Sequence, residues 1–322
     1  MKLTVDCIST GTLFSLPKSS ALAYLLSKAN VSFVDLPLEA MLCEQHYLMS
    51  APDYPIAAIA AASDGLDLGE AYWLRADPVH LVLQRDSFCL SEPCPLIVSR
   101  EHAQAIMLSL NQHFKQDGLT FCLGNSGAWY VHLAKTPEIK TILPAIAQGR
   151  NIAHFMPQGE EASRWIAYLN EVQMLLHGHA ANESREQMGE IPVNSVWFSG
   201  GGLMPAALTT QPTVAVDVMI GYDVFYRALA ERVGVPYRKA SASLLETITS
   251  LLAQSSARLQ LTPAQSSDDA TFQLLIDALK SRKISRLVMH LSCDEKTLVA
   301  EIKPIDFYKF WRKAKSMSEY LV

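Results

Sequence analysis

Between positions 177 and 194 the chain gathers His177, His179, Asn182, Arg185 and Asn194, and three glycines follow at 200–202. An arginine offers a planar fork of donors suited to phosphate or carboxylate, and flanking asparagine amides can complete such a pocket. The two histidines stand two apart, so they do not form the four-apart pair that binds zinc along a helix. The same residues could equally staple a loop through their own hydrogen bonds. "GGG" lacks the Gly-Lys-Ser/Thr of a phosphate loop, and Met204-Pro205 stands where a dinucleotide-binding helix would open. Three glycines after a strand still permit close backbone approach, either to an anion or simply within a tight bend. A second set, Arg75-Ala76-Asp77-Pro78-Val79-His80, sits at a junction that Asp-Pro turn chemistry explains. No Gly-x-Ser-x-Gly elbow occurs.

These residues need elements to hold them. "MKLTVDCIS" reads as a first strand, and "SSALAYLLSKA" as a helix with Leu22, Leu25, Leu26 and Ala29 on one face. "AYWLRA", "HLVLQ" and "SFCL" suggest antiparallel strands. A helix over 99–118 has Ser99 as its N-cap and Gly118 as its stop, and one over 160–179 buries Trp165, Leu169, Val172 and Leu176. From about 190 onward, strands alternate with helices, which argues for crossover units and a parallel sheet. Strands at about 3–8, 193–198, 213–218 and 285–291 are expected to share it, and 296–314 reads as a closing helix interrupted near Pro304. The expected architecture is an α/β core of residues 1–70 and 190–322 with an inserted α+β subdomain at 71–189.

At 322 residues, 49% apolar and 18% charged, the chain can bury a full core. Its net charge of −5 gives no basic stripe for a nucleic acid. Its apolar runs fall short of the ~20 residues that span a membrane, and its start lacks a signal-peptide pattern. A cytoplasmic protein without nucleic-acid or membrane partners is expected. The six cysteines form no CxxC pair, so they read as reduced, mostly buried thiols.

"WLRADPVHL", "LNEVQMLLHGHAANESREQMGEIPVNSVWFSGGGLMP" and "RLVMHLSCDE" closely resemble the RpfE-type family of bacterial regulatory proteins, from about residue 50 onward. That family is described as predicted 2,3-bisphosphoglycerate-independent phosphoglycerate mutases. A weaker resemblance links the chain to the archaeal-type cofactor-independent mutases of the alkaline phosphatase superfamily. Asn182, Arg185, Gly189, Pro192 and Asn194 resemble that group's asparagine–arginine series, Gly200–Gly202 its following turn, and Arg75 its arginine near the start of an inserted domain.

The resemblance implies an alkaline-phosphatase-like, mostly parallel sheet, with the glycines bending the chain from insert back to core. It also implies an anionic-ligand site drawn from Arg75, His154, His177, His179, Asn182, Arg185 and Asn194. Departures from the family pattern concern its metal chemistry. Tyr54 stands at the nucleophilic serine, Pro55 at a metal-binding aspartate, and Lys296 intrudes in the late ligand run beginning at Asp294. Asp6, Asp53 and Asp294 are the weak metal candidates. The expectation is therefore a degenerate, non-catalytic relative without a cofactor, binding a phosphorylated ligand or a protein partner. An active manganese- or zinc-dependent mutase or phosphatase, and a scaffold with a vestigial cleft, stay open as alternatives.

Overall fold

The computed structural model describes residues 1–7, 17, 19–49, 53–85, 87–206, 216–241, 243–293 and 295–320. The chain begins with strand β1 (Lys2–Cys7), helix α1 (Ala21–Lys28), β2 (Asn30–Val34) and α2 (Leu38–Gln45). It continues through α3 (Ile56–Ser63), β3 (Tyr72–Val79), β4 (Leu81–Gln84), β5 (Ser87–Leu90), α4 (Arg100–His113), β6 (Thr120–Leu123) and β7 (Trp129–Leu133). Then come α5 (Pro144–Ala147), α6 (Ala162–Leu176), α7 (Ala180–Gln187) and β8 (Ser195–Gly202). The last part comprises β9 (Val218–Gly221), α8 (Val224–Arg232), β10 (Tyr237–Lys239), α9 (Leu244–Leu251), β11 (Ser256–Leu261), α10 (Pro263–Ser267), α11 (Asp269–Lys280), β12 (Arg286–Cys293) and β13 (Lys296–Ile302).

Two units result, Met1–Tyr47 with Leu208–Val322, and Leu48–Ala207. In the first, seven strands run in the order β10-β9-β11-β1-β12-β13-β2. The five from β10 to β12 are parallel, and β13 and β2 close the edge antiparallel. This is a mixed α/β fold with a mostly parallel central sheet. Its odd-numbered β1 side chains, Leu3, Val5 and Cys7, are buried with Leu22, Leu25 and Leu26 of α1 and Phe272, Leu275 and Leu279 of α11. Local sequence starts these helices: Ser20 caps α1 by accepting from the Ala23 amide, and Asp268 caps α11 by accepting from Ala270.

The second unit is an antiparallel sheet, β6-β7-β3-β8, with β4 and β5 as a separate hairpin. Helices α4 and α6 bury Ile106, Leu110, Trp165, Leu169 and Val172 together with Phe198 of β8. The expected stripe of α6 and the Ser99 cap of α4 are both present.

Three expectations change. The strand expected at 193–198 pairs with β3, antiparallel, not with the parallel sheet, because Ser195–Phe198 align against Ala76–Val79. That pairing, and the packing of α3 on β3 and β8, places 48–70 and 190–207 with the residues expected as an insert, so the division falls at 47/48 and 207/208. The expected closing helix is a strand, β13, followed by a 3-10 turn at Pro304–Tyr308. Leu298, Ala300 and Ile302 alternate toward the core, and β13 pairs along its whole length with β12. Of the expected strand at 213–218, residues 213–215 lie outside the described residues and the observed strand is Val218–Gly221. No helix among the described residues is long and apolar enough to cross a membrane, and the six cysteines are free thiols.

Candidate functional site

The pleat of β1 turns Asp6 away from the apolar face formed by Leu3, Val5 and Cys7. Its register partners are Gln260 on β11 and His290 on β12. Arg258, two residues before Gln260, therefore shares that face and reaches Asp6 diagonally. Arg258 Nε donates to Asp6 Oδ2 at 2.6 Å and Nη2 to Oδ1 at 3.1 Å. His290 Nδ1 lies 2.7 Å from Oδ1, and Tyr226 Oη of α8 donates to Oδ2 at 2.6 Å. Arg258 and Asp6 are 1% and 0% exposed, so this pair is removed from solvent.

Burial by itself raises the Asp6 carboxyl, but the Arg258 charge and the His290 contact reverse it and hold the group well below the usual carboxylate range. Burial and the neighbouring Asp6 push the Tyr226 phenol up, keeping it a donor. On α2 burial raises Glu39 to about 7, and just past its end burial lowers His46 to about 4. An opening of about 360 Å³ lies against this polar face, lined among others by Lys2, Thr4, Gln45, Arg258, Arg286 and His290.

A carboxylate has about four acceptor positions. Four donor contacts, two on each oxygen, take those of Asp6. The donor set at the end of β1 thus fits a guanidinium and an imidazole, and does not fit a divalent cation. Among the described residues no group of three histidine, cysteine, aspartate or glutamate side chains is placed to hold a metal ion. Asp294 lies outside the described residues. Lys296 opens β13 at the turn from β12, exposed and paired with Asp35 at 2.8 Å.

Asp53 is buried and accepts from the Thr141 amide at 2.9 Å, with the Thr141 hydroxyl and the Gly201 amide as further donors. Burial raises its pKa, and those bonds oppose the rise. Pro55, with no side-chain oxygen, is buried at the start of α3.

The polar cluster expected to form an anion pocket divides into separate structural tasks. Arg185 is 2% exposed, and donates to the Ile191 carbonyl through Nε at 3.0 Å and Nη2 at 2.8 Å. It also reaches the Ile97 carbonyl at 3.2 Å and pairs with Glu190 at 2.9 Å. Asn182 closes the same loop, accepting from the Val193 amide and donating to the Val193 and Leu176 carbonyls. Asn194 instead exchanges both its bonds with the Leu81 backbone. Arg75 pairs with Asp77 and lies over the Tyr130 ring at 5.4 Å.

His179 caps α7, its Nδ1 accepting from Ala181 and its Nε2 lying 3.0 Å from Ser109 Oγ. That pattern assigns the neutral Nε2–H tautomer, in keeping with the downward push of burial on its pKa. His154 and His177 are exposed. The guanidinium of Arg185 therefore spends its donors on backbone carbonyls. Arg185→Ala is expected to lower unfolding stability by about 2–3 kcal/mol, since it strands buried acceptors. Thermal melts should fall by the same amount with and without phosphate. Selective loss of phosphate-induced stabilisation would instead make Arg185 a ligand residue.

The glycines lie inside β8 and do not form a hinge between units. Gly200 has φ +63°, at the point where the β3–β8 register shifts between Trp73 and Arg75. A Cβ on Gly201 would stand 2.2 Å from Tyr72 Oη, and one on Gly202 would stand 2.8 Å from Pro55 Cα. The three residues are bare because α3, Pro55 and Tyr72 occupy the space.

The residues that sequence reasoning missed are Arg258, His290, Tyr226 and Glu39. A signal existed for the first two: polar residues alternate with apolar ones in β1, β11 and β12, where a parallel sheet covered on both faces would read as continuously apolar.

No protein-family model matches the chain. It is 27% identical over 179 residues to a protein of Geobacter sulfurreducens named "Probable 2,3-bisphosphoglycerate-independent phosphoglycerate mutase", covering 52% of this chain and 44% of that protein. It is 27% identical over 141 residues to the "2,3-bisphosphoglycerate-independent phosphoglycerate mutase" of Methanosarcina barkeri, covering 40% of this chain and 35% of that one. The matched part thus spans less than half the length of these curated relatives. Among solved structures, the cofactor-independent phosphoglycerate mutase of Thermoplasma acidophilum aligns over 94% of this chain and 89% of its own, at 14% identity and a TM-score of 0.41. A protein of Pyrococcus horikoshii aligns over 94% and 87%, at 12% identity and a TM-score of 0.45. The chain is phosphoglycerate-mutase-like in sequence, at low identity.

Proposed function

We propose that this protein is a degenerate phosphoglycerate-mutase-like protein of the RpfE-type regulatory kind, working in the cytoplasm by binding a phosphorylated ligand or a protein partner. The observation that carries this reading is the state of Asp6. Metal-dependent phosphoryl transfer needs an oxygen nucleophile activated by a cation and ligands that fix cations against it. Here the acid at the end of the first strand is saturated by Arg258, His290 and Tyr226, and Asp53 is engaged by Thr141 and Gly201. Pro55 offers no oxygen in its side chain, and Lys296 carries a positive charge into the late ligand run. No cofactor is part of the proposal. The names of the curated relatives favour a second reading, an active phosphoglycerate mutase, which would be a manganese- or zinc-dependent mutase or phosphatase.

A coupled assay separates the two. With manganese, magnesium, zinc or cobalt, the purified chain is expected to interconvert 2- and 3-phosphoglycerate no faster than background, and to retain no stoichiometric divalent metal when prepared without chelator. Turnover abolished by chelator and restored by manganese would overturn the proposal. If a phosphosugar ligand or a protein partner is bound without turnover, the regulatory reading stands. If neither binds, the chain is a scaffold.

A further inference from the structure

The residues after β13 present an unusual surface. Within Lys303–Lys315, Ile305 is 67% exposed, Tyr308 73%, Phe310 85% and Trp311 65%. Lys303, Lys309, Arg312, Lys313 and Lys315 lie among them against the one acid Asp306, in a chain whose acids as a whole outnumber its bases 32 to 27. The basic turn after α11 adjoins this stretch. Lys280 and Arg282 line one opening with Lys303, Ile305, Phe307 and Tyr308, and Lys280 Nζ lies 5.5 Å from the Phe307 ring.

The stretch is held in place. Lys28, at the end of α1, donates to the Lys309 and Arg312 carbonyls at 2.9 and 3.0 Å. Arg312 Nη1 donates to the Ala29 carbonyl at 2.7 Å, and Asp306 pairs with Lys309 at 2.7 Å. Phe310 and Trp311 meet edge to face, with centroids 5.2 Å apart. Two large rings are thus held in solvent by partly buried polar bonds on either side.

We propose that this face docks on an anionic lipid bilayer. Interfacial binding joins apolar and aromatic side chains at the headgroup–acyl boundary with Lys and Arg attraction to anionic headgroups, and it needs no spanning segment. The expectation of no membrane partner rested on spanning length and the signal-peptide pattern, neither of which bears on a peripheral contact. A second copy of this face would set like charges against each other. A single-stranded nucleic acid would need flat ring faces for its bases, whereas these two rings pack edge to face as one wedge.

The full chain should cosediment with vesicles of phosphatidylcholine containing phosphatidylglycerol, much less with phosphatidylcholine alone, and less as salt rises. Trp311 is a built-in probe, since Trp73, Trp129, Trp165 and Trp197 are at most 5% exposed. Its emission should shift to the blue on binding and be quenched by brominated acyl chains. Trp311→Phe should abolish the quenching while cosedimentation persists. Phe310→Ser with Trp311→Ser should weaken binding roughly tenfold or more. Arg282→Glu and Lys313→Glu should each weaken binding to the anionic vesicles alone, by roughly five-fold or more. These side chains are exposed, so unchanged thermal melts will show that the variants remain folded. Wild-type protein that ignores anionic vesicles at low salt, or serine and glutamate variants that bind like wild type, would overturn the proposal. So would capture by single-stranded RNA or an acidic polypeptide without vesicle binding.

Discussion

Arg258→Ala is expected to lower the unfolding free energy by about 3–5 kcal/mol at pH 7. The substitution removes the two donors that hold Asp6 from β11 and leaves a fully buried carboxylate with only His290 and Tyr226. The loss measures a stranded charge more than the worth of the pair. Removing both charges, as in Asp6→Asn with Arg258→Met, should therefore recover most of it. The pH dependence carries the sign. In the wild type the folded Asp6 pKa lies below its unfolded value of about 3.9. Its contribution is thus present above about pH 4 and lost as pH falls through the folded value. In the alanine variant burial dominates and the folded pKa rises. The variant's deficit should then be largest at neutral pH and shrink as pH falls toward 4. Urea unfolding at several pH values, followed by circular dichroism, tests both points. A loss below about 1 kcal/mol at pH 7 would mean that water or His290 already satisfies Asp6, and that Arg258 is not its structural counter-ion.

What the sequence made legible follows from the range of the interactions. Caps and apolar stripes are local, so α1, α4 and α6 could be read from the Leu22, Leu25 and Leu26 face, the Ser99 cap and the Trp165–Leu176 stripe. That β1 and β12 share one sheet was also legible, as short strands between helices. The sheet that β8 joins was not, because its apolar run suits either sheet and only its pairing with β3 decides. The run after Cys293 read as a helix because Leu298, Val299 and Ile302 fit either period over so short a stretch. In the candidate site, Asp6 was visible as an acid ending a strand, but Arg258 and His290 lie 252 and 284 residues away. Arg185 and Asn182 were visible as donors, yet their partners are the carbonyls of Ile191, Ile97 and Val193. A backbone carbonyl is present at every residue, so it leaves no mark in the sequence.

The glycine run supplies the second large effect, because packing and ligand binding predict opposite outcomes for it. If Gly200–Gly202 cradled an anion, a small side chain there would leave the free protein as stable as before and abolish stabilisation by phosphate. The geometry argues otherwise. A methyl on Gly202 would stand 2.6 Å from Pro55 Cβ and 2.8 Å from its Cα, and a backbone atom cannot swing aside. A methyl on Gly201 would meet Tyr72 Oη at 2.2 Å and Leu74 Cδ2 at 2.8 Å. Gly202→Ala is therefore expected to lower stability by about 1–3 kcal/mol, and Gly202→Val by about 3 kcal/mol or more, with or without phosphate. Tyr72 adds a pairwise test. Its hydroxyl is buried without a hydrogen-bond partner among the described residues, so Tyr72→Phe alone should be neutral or stabilising. The same change should reduce the loss caused by Gly201→Ala, since it deletes the nearest clashing atom. It should do nothing for Gly202→Ala, whose obstacle is Pro55. Urea unfolding of these single and double variants separates the two accounts. If the alanine variants keep wild-type stability and lose only the phosphate response, the run is a ligand loop and the packing account fails.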